Sequence, residues 1–198
     1  MTVCAISSNS QERSSKEPPL GLAKAIFSTS VKVRVEPSGR VMVPEALALA
    51  PVFETAVRVY YEDTDAGGIV YHANWLRYFE RARTDWLRSL GAVHRELAST
   101  DGVLLVVRDL FIDYRLPARL DDELRIDVRL LETRRASLRL MQSAHGLADG
   151  RLLVQAEMRV AAIGAADQRA AGLPRWLLER LAATAPTQPG RVTDPPGP

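Results

Sequence analysis

Trp75, Phe79, Ala82, Trp86 and Leu90 recur at helical spacing, so a helix over Asn74–Leu90 carries two indoles and a phenyl ring along one stripe. Arg77, Arg81, Asp85 and Arg88 sit mostly off that stripe. Asn74 is the expected N-cap and Gly91 the expected stop. Such a stripe has to be covered, and the rest of the pattern is mostly strand. Ala56–Tyr61 precedes the helix as a short strand candidate, and the long β-rich run Val103–Tyr114 follows it. Leu124, Ile126, Val128 and Leu130 alternate with Arg125, Asp127 and Arg129, the clearest two-residue period in the chain. Ser137–Ala144 and Leu152–Ile163 complete the set, with Thr133–Ala136 and His145–Gly150 as natural hairpin connections. A last helix is expected after Pro174. Strand, long helix, then strands joined largely by hairpins is the order of an α+β fold, with helices on one side of an antiparallel sheet. A sheet that curls around the helix would bury its aromatic stripe.

The block that holds these elements is one domain, expected over residues 52–185 of the 198. Residues 1–51 differ in composition. Ser8–Pro19 is polar, a pattern that favours disorder. Val31–Val35 alternates like a strand but has no obvious partner. This region is expected to be a flexible extension whose removal keeps fold and activity, and Pro/Gly-rich 186–198 is expected to be a loose tail. Hydrophobic residues make up 46%, enough for a core, and a formal net charge of +2 argues against a dedicated nucleic-acid binder. Cys4 is the single cysteine, so neither an internal disulfide nor a cysteine-based zinc site is available, which fits a reducing compartment. No apolar run approaches the ~20 residues of a membrane span, and the N-terminal residues lack the pattern of a secretory signal.

Chemistry concentrates in Val59–Thr84, VYYEDTDAGGIVYHANWLRYFERART. Asp63 and Asp65 stand in a short acidic turn, Gly67 and Gly68 allow close approach or left-handed backbone, and His72 leads into the helix start. Amides at a helix start can face an oxyanion, and a nearby carboxylate can attack a carbonyl or activate water. The set therefore suits acyl transfer to water. There is no GxSxG elbow, and Cys4 lies in the extension, so serine or cysteine hydrolysis has little support. Each residue also has a plainer reading. Asp65 or Asp63 could shape a turn, His72 could cap or pack, and Tyr61 could be an ordinary strand tyrosine. Glu80 on the helix is the rival acid. Asp63-x-Asp65-x-Gly67 opens like a calcium loop, but Asn74 stands where the closing Glu belongs, so no required metal is expected.

YYEDTDAGGIVYH and FERART, followed by YRLPARLDDEL (Tyr114–Leu124) and Ser137–Leu138, resemble the 4-hydroxybenzoyl-CoA thioesterase family. Within it the chain is most similar to the acyl-CoA thioesterases associated with the Tol-Pal envelope system. The resemblance covers roughly Val57 to Pro174. It implies a hotdog fold, a five-stranded antiparallel sheet wrapped around the long central helix. It also implies a homodimer or homotetramer and hydrolysis of acyl-CoA, with coenzyme A as part of the substrate and no further cofactor. It places the catalytic carboxylate at Asp65, puts Tyr61 and His72 in the site, and sets the His72 backbone N–H near the carbonyl oxygen. Asp63 is then the turn-shaping residue, and Glu80 a residue that orders the helix. Trp75 departs from the Tyr common in this subgroup, Arg135 stands where Gly is common, and the first fifty or so residues have no counterpart.

The resemblance implies a cytoplasmic protein, in reach of the inner membrane's periphery, with acyl carrier protein as a further candidate partner. The competing reading is a non-catalytic hotdog module that binds acyl-CoA or acyl carrier protein in envelope lipid metabolism. Some of Arg108, Arg115, Arg119, Arg134 and Arg135 are candidates for the CoA phosphates, because guanidinium forks suit phosphate oxygens. The bland reading of each is a solvated sheet or turn charge.

Overall fold

The computed structural model describes residues 49–184. The expected extension up to residue 48, including Val31–Val35 and Cys4, and the tail 186–198 lie outside the described residues. Strand β1 (Phe53–Arg58) leads through a 3₁₀ turn (Tyr61–Asp63) to helix α1 (Asn74–Ser89) and the short helix α2 (His94–Thr100). Strands β2 (Val103–Tyr114), β3 (Glu123–Arg134), β4 (Ser137–Gly146) and β5 (Leu152–Gly164) follow, and helix α3 (Arg175–Thr184) closes the order.

The sheet is five-stranded and antiparallel, in the order β1-β3-β4-β5-β2. Two hairpins fall where the sequence sets them, between β3 and β4 and between β4 and β5. The first long strand behaves differently. β2 does not pair with β3 but crosses to the far edge and pairs with β5. The strand before the helix also begins earlier than Ala56–Tyr61, so Tyr61 lies in the turn after it.

Helix α1 buries the expected stripe: Trp75, Phe79, Ala82 and Trp86 are each at most 2% exposed and pack with Leu124, Ile126 and Val128 of β3. Each aromatic side chain of this kind removes roughly 150–250 Å² from water, about 4–6 kcal/mol at ~25 cal/mol per Å². The helix ends as its glycine demands. Gly91 has φ +79, its N–H bonds to Arg88 O at 2.8 Å, and Ala92 N–H bonds to Leu87 O at 2.8 Å, a Schellman closure. Arg180 of α3 donates to the Leu90 carbonyl and sets a cation at that negative helix end. Asn74 is not the N-cap. It is the first helical residue, and its side chain donates to Glu62 O at 3.2 Å, tying the helix start to the preceding turn.

One buried charge interrupts the apolar layer. Arg83 is 7% exposed and donates to Gln142 Oε1 at 3.0 Å, while Gln142 Nε2 donates to Phe79 O at 2.8 Å. Burial draws the Arg83 pKa down to about 10. The partner carboxylate is Glu80, half in water, which also accepts from Thr84 Oγ1 at 3.1 Å.

The opposite face of the sheet is drier than its pattern suggests. A two-residue period ordinarily leaves the charged residues in water. Asp127 is instead 0% exposed and Arg129 7%, ion-paired to each other, with His145 Nε2 3.1 Å from Asp127 Oδ2.

Candidate active site

The segment from Tyr60 to Ala73 is a folded-back loop pinned at three levels. Thr64 and Val70 form an isolated antiparallel bridge, and Asp65 N–H bonds to Ile69 O at 3.0 Å. Tyr71 N–H bonds to Asp63 O at 2.8 Å, and Val70 N–H bonds to Ala118 O, in the β2–β3 connection, at 2.9 Å. Both glycines are needed. Gly68 takes φ +70, and a Cβ on Gly67 would stand 3.0 Å from Asp65 Oδ1. The bare Gly67 therefore lets its N–H reach Asp65 Oδ1 at 2.7 Å.

The two aspartates have opposite environments. Asp63 is 6% exposed, accepts from Tyr60 N–H at 2.9 Å, and lies beside the buried Tyr78 hydroxyl. Burial first, then the Asp63 carboxylate, pushes the Tyr78 phenol well above its usual range, so it stays a neutral donor. Asp65 is exposed, and among the described residues no donor bonds its Oδ2. The turn-shaping part predicted for Asp63 is thus visible in its bonds, and the second aspartate is left with an unengaged oxygen.

His72 lies on the short link between Tyr71 and α1. Its ring packs on Tyr71, with centroids 4.4 Å apart, and its carbonyl accepts from Tyr114 Oη at 3.0 Å. Among the described residues its backbone N–H makes no hydrogen bond. The helix proper begins two residues later, at Asn74, so this N–H belongs to the approach to the helix rather than to its first turn. Tyr61 is 81% exposed, and no hydrogen bond joins it to Asp65 or His72 among the described residues.

Tyr114 and Tyr78 are the residues that sequence reasoning passed over. Tyr114 ends the long strand β2, some forty residues from His72 in the chain, and only the β2 crossover brings them together. The FERART run adjoining Tyr78 was the available signal for the second. Of the arginines considered for phosphate, Arg115 is held by Asp113 and Gln155, and Arg134 by Glu132. Among the described residues no ion pair holds the guanidinium of Arg108, Arg119 or Arg135; Arg119, whose backbone N–H bonds to Asp122 Oδ2 at 2.7 Å, follows the Ala118 that anchors the acidic loop.

An antiparallel sheet packed on one long helix defines a hotdog-type fold. The chain belongs to the Thioesterase-like superfamily, which matches residues 59–181. It is 38% identical over 123 residues to the acyl-CoA thioesterase YbgC of Haemophilus influenzae, an alignment that covers 62% of this chain and 89% of the relative. It is 40% identical over 127 residues to the acyl-CoA thioester hydrolase YbgC of Escherichia coli, covering 64% and 93% respectively. The fold also superposes on a 1,4-dihydroxy-2-naphthoyl-CoA thioesterase from Synechocystis with a TM-score of 0.62 and 22% identity, covering 66% of this chain and 95% of that one. That likeness bears on the fold. No described helix is long and apolar enough to cross a membrane.

Proposed function

We propose that this chain hydrolyses acyl-CoA thioesters, with Asp65 as the carboxylate that acts on the thioester carbonyl. The carrying observation is the contrast within one turn. Asp63 is buried and bonded, whereas Asp65 is exposed, oriented through Oδ1 by Gly67 N–H, and open at Oδ2. Asp65 either attacks the carbonyl carbon itself or takes a proton from the attacking water. With Asp65 as base, water forms the new C–O bond, the C–S bond breaks, and the proton taken by Asp65 passes to the leaving sulfur. With Asp65 as nucleophile, the C–S bond breaks as an acyl–Asp65 anhydride forms, the thiolate takes a proton from water, and a water then cleaves the anhydride to release the acid and restore the carboxylate. Negative charge on the carbonyl oxygen is received by the unengaged His72 N–H; the Tyr114 hydroxyl holds the next peptide along, through the His72 carbonyl. Tyr61, in the turn before the loop, contributes wall rather than chemistry on this reading, and Arg119 is the guanidinium best placed for CoA phosphate.

The working unit is a homodimer or homotetramer. In this single protomer edge strand β2 exposes Val106, Val107, Leu110 and Tyr114, and Tyr60, Tyr61 and Tyr71 stand exposed around the loop. Edges and aromatic surfaces of this kind are usually paired or covered. The same thioester chemistry admits acyl carrier protein as an alternative carrier, and the resemblance to the Tol-Pal-associated subgroup points to work in the cytoplasm near the envelope. A thiol-release screen over short, long and aromatic acyl-CoAs tests the activity. Release from at least one class is expected, and a protein that binds these esters without releasing thiol would overturn it in favour of a binding module.

A further inference from the structure

Helix α1 and the acidic turn are joined by two buried polar side chains that the apolar stripe does not require. Asn74 and Tyr78 stand one helical turn apart on the same face of α1 and are 5% and 1% exposed. Asn74 Nδ2 donates to the Glu62 carbonyl at 3.2 Å. The Tyr78 hydroxyl lies beside the Asp63 carboxylate and makes no hydrogen bond to any other group among the described residues. Its ring has little freedom to turn away. Trp75 packs edge-on against it, with centroids 5.8 Å apart, and the Arg81 guanidinium lies over it, 5.2 Å from its centre.

Asp63 is where such a hold has the most leverage. Its carboxylate accepts Tyr60 N–H at 2.9 Å, and its backbone carbonyl accepts Tyr71 N–H at 2.8 Å. One residue therefore ties the arm that enters the loop to the arm that leaves it. Asp65 follows closely on the first arm, and His72 comes directly after Tyr71 on the second. The Asp63 carboxylate is 6% exposed and takes a single amide, so a further donor counts for more there than it would in water. We propose, on the thioesterase reading, that Tyr78 is a positioning residue for the reaction: its hydroxyl, acting through Asp63, fixes the separation between the Asp65 carboxylate and the His72 N–H. A phenyl ring would fill the same space beside Trp75, so packing alone gives the hydroxyl no part to play. Paired with Asn74, it lets the rigid helix set the geometry of a loop that otherwise holds itself only by its own backbone bonds and by Ala118.

Tyr78→Phe, Asp63→Asn and the double variant are compared with wild type in the full-length chain, on the acyl-CoA that wild type hydrolyses best. Tyr78→Phe keeps the ring and should lower kcat about tenfold while KM changes by less than about twofold, the mark of a loss confined to the transition state. Added to Asp63→Asn, it should cost less than about twofold more, because the link is already cut. Amide hydrogen exchange gives a readout that needs no turnover. In Tyr78→Phe the Tyr60 and Tyr71 N–H groups should exchange at least ~10-fold faster, with the amides of the C-terminal half of α1 unchanged. A Tyr78→Phe protein with wild-type kcat overturns the proposal. So do independent, multiplying losses in the double variant, a loss carried by KM, and faster exchange throughout α1, which would make the hydroxyl a matter of general stability. A wild-type chain that releases no thiol from any acyl-CoA class is a failure of the thioesterase reading instead. Exchange at Tyr60 and Tyr71 then decides the hold by itself, and rates unchanged by Tyr78→Phe overturn it.

Discussion

Two acidic side chains on either side of the helix start show how the fold separates holding from reacting. Glu80, inside α1, is paired with Arg83 and accepts from Thr84. Through Arg83 it joins a buried chain that runs to Gln142 and the Phe79 carbonyl. Asp65, in the loop ahead of α1, accepts a single amide and keeps an oxygen open to solvent. The helix carboxylate is engaged in keeping a guanidinium inside the protein. The loop carboxylate is fixed in direction and otherwise unengaged, which is the condition a nucleophile or general base requires. Exchanging the charge at each site should therefore give different kinds of loss.

The largest expected effect is at the loop. Asp65→Asn keeps the size of the side chain and the Gly67 bond but removes the charge, so turnover should fall by at least ~100-fold with little change in acyl-CoA binding. Asp63→Asn and Glu80→Gln, measured beside it, report damage to the turn and to the helix. If a folded Asp65→Asn protein turns over at near wild-type rate while Glu80→Gln does not, the comparison is inverted and Glu80 is the reacting acid.

The interior side of the comparison is tested by Gln142→Leu. That change strands an Arg83 N–H, while the Phe79 carbonyl keeps its helix bond. A buried group stranded in this way costs roughly 1–3 kcal/mol. Denaturant unfolding should show a loss of about 1–3 kcal/mol, with turnover per folded molecule preserved. A loss of turnover without a loss of stability would mean that the buried chain belongs to the chemistry.

The helix, its aromatic stripe, the hairpin strands and the acidic loop were all legible, because each rests on neighbours close in sequence. Gly91 stops α1 through bonds within five residues, and Gly67 serves Asp65 two residues away. What the pattern did not reveal depends on contacts that fold topology makes. The β2 crossover, which no local pattern marks, delivers Tyr114 to His72. Arg83 looks like any helix arginine until β4 supplies Gln142. The alternation of β3 correctly marks a strand but not that Asp127 and Arg129 are buried, because their partners are distant in sequence: His145 lies beside Asp127, and Arg129 bonds to Leu49 O, 80 residues away. Tyr61 closes the strand candidate Ala56–Tyr61, yet β1 ends at Arg58 and leaves it in a turn.

A smaller effect is expected at the joint between β2 and the loop. Tyr114→Phe removes the donor that holds the His72 carbonyl, and with it about 1 kcal/mol, a roughly fivefold change if the bond orients the neighbouring N–H in the transition state. The loss should fall on kcat rather than KM. His72→Ala should also be mild beside Asp65→Asn, since the backbone N–H survives that substitution. A Tyr114→Phe protein that loses stability but keeps kcat would reduce the bond to a loop anchor.

The smallest expected effect concerns pH and sits at the far end of the helix layer. His94 opens α2 beside Thr84 Oγ1, 3.5 Å from its Nε2. Burial chiefly, and then the Arg83 and Arg88 charges, lower its pKa below the ordinary 6.5. The folded protein thus binds this proton less readily than the unfolded chain. Above the unfolded value neither state is protonated and His94 contributes nothing to the pH dependence. As pH falls through that value the unfolded chain takes up the proton first, so stability declines until the folded pKa is passed. His94→Gln, which keeps a polar contact to Thr84 without the charge, should remove this share of the decline. Urea midpoints of the two proteins should therefore converge between about pH 7.5 and pH 5.5 if wild type is the more stable at the higher value, since only wild type carries the His94 proton uptake in that window. Parallel pH profiles for the two proteins would show that neither burial nor the Arg83 and Arg88 charges shift His94 in solution.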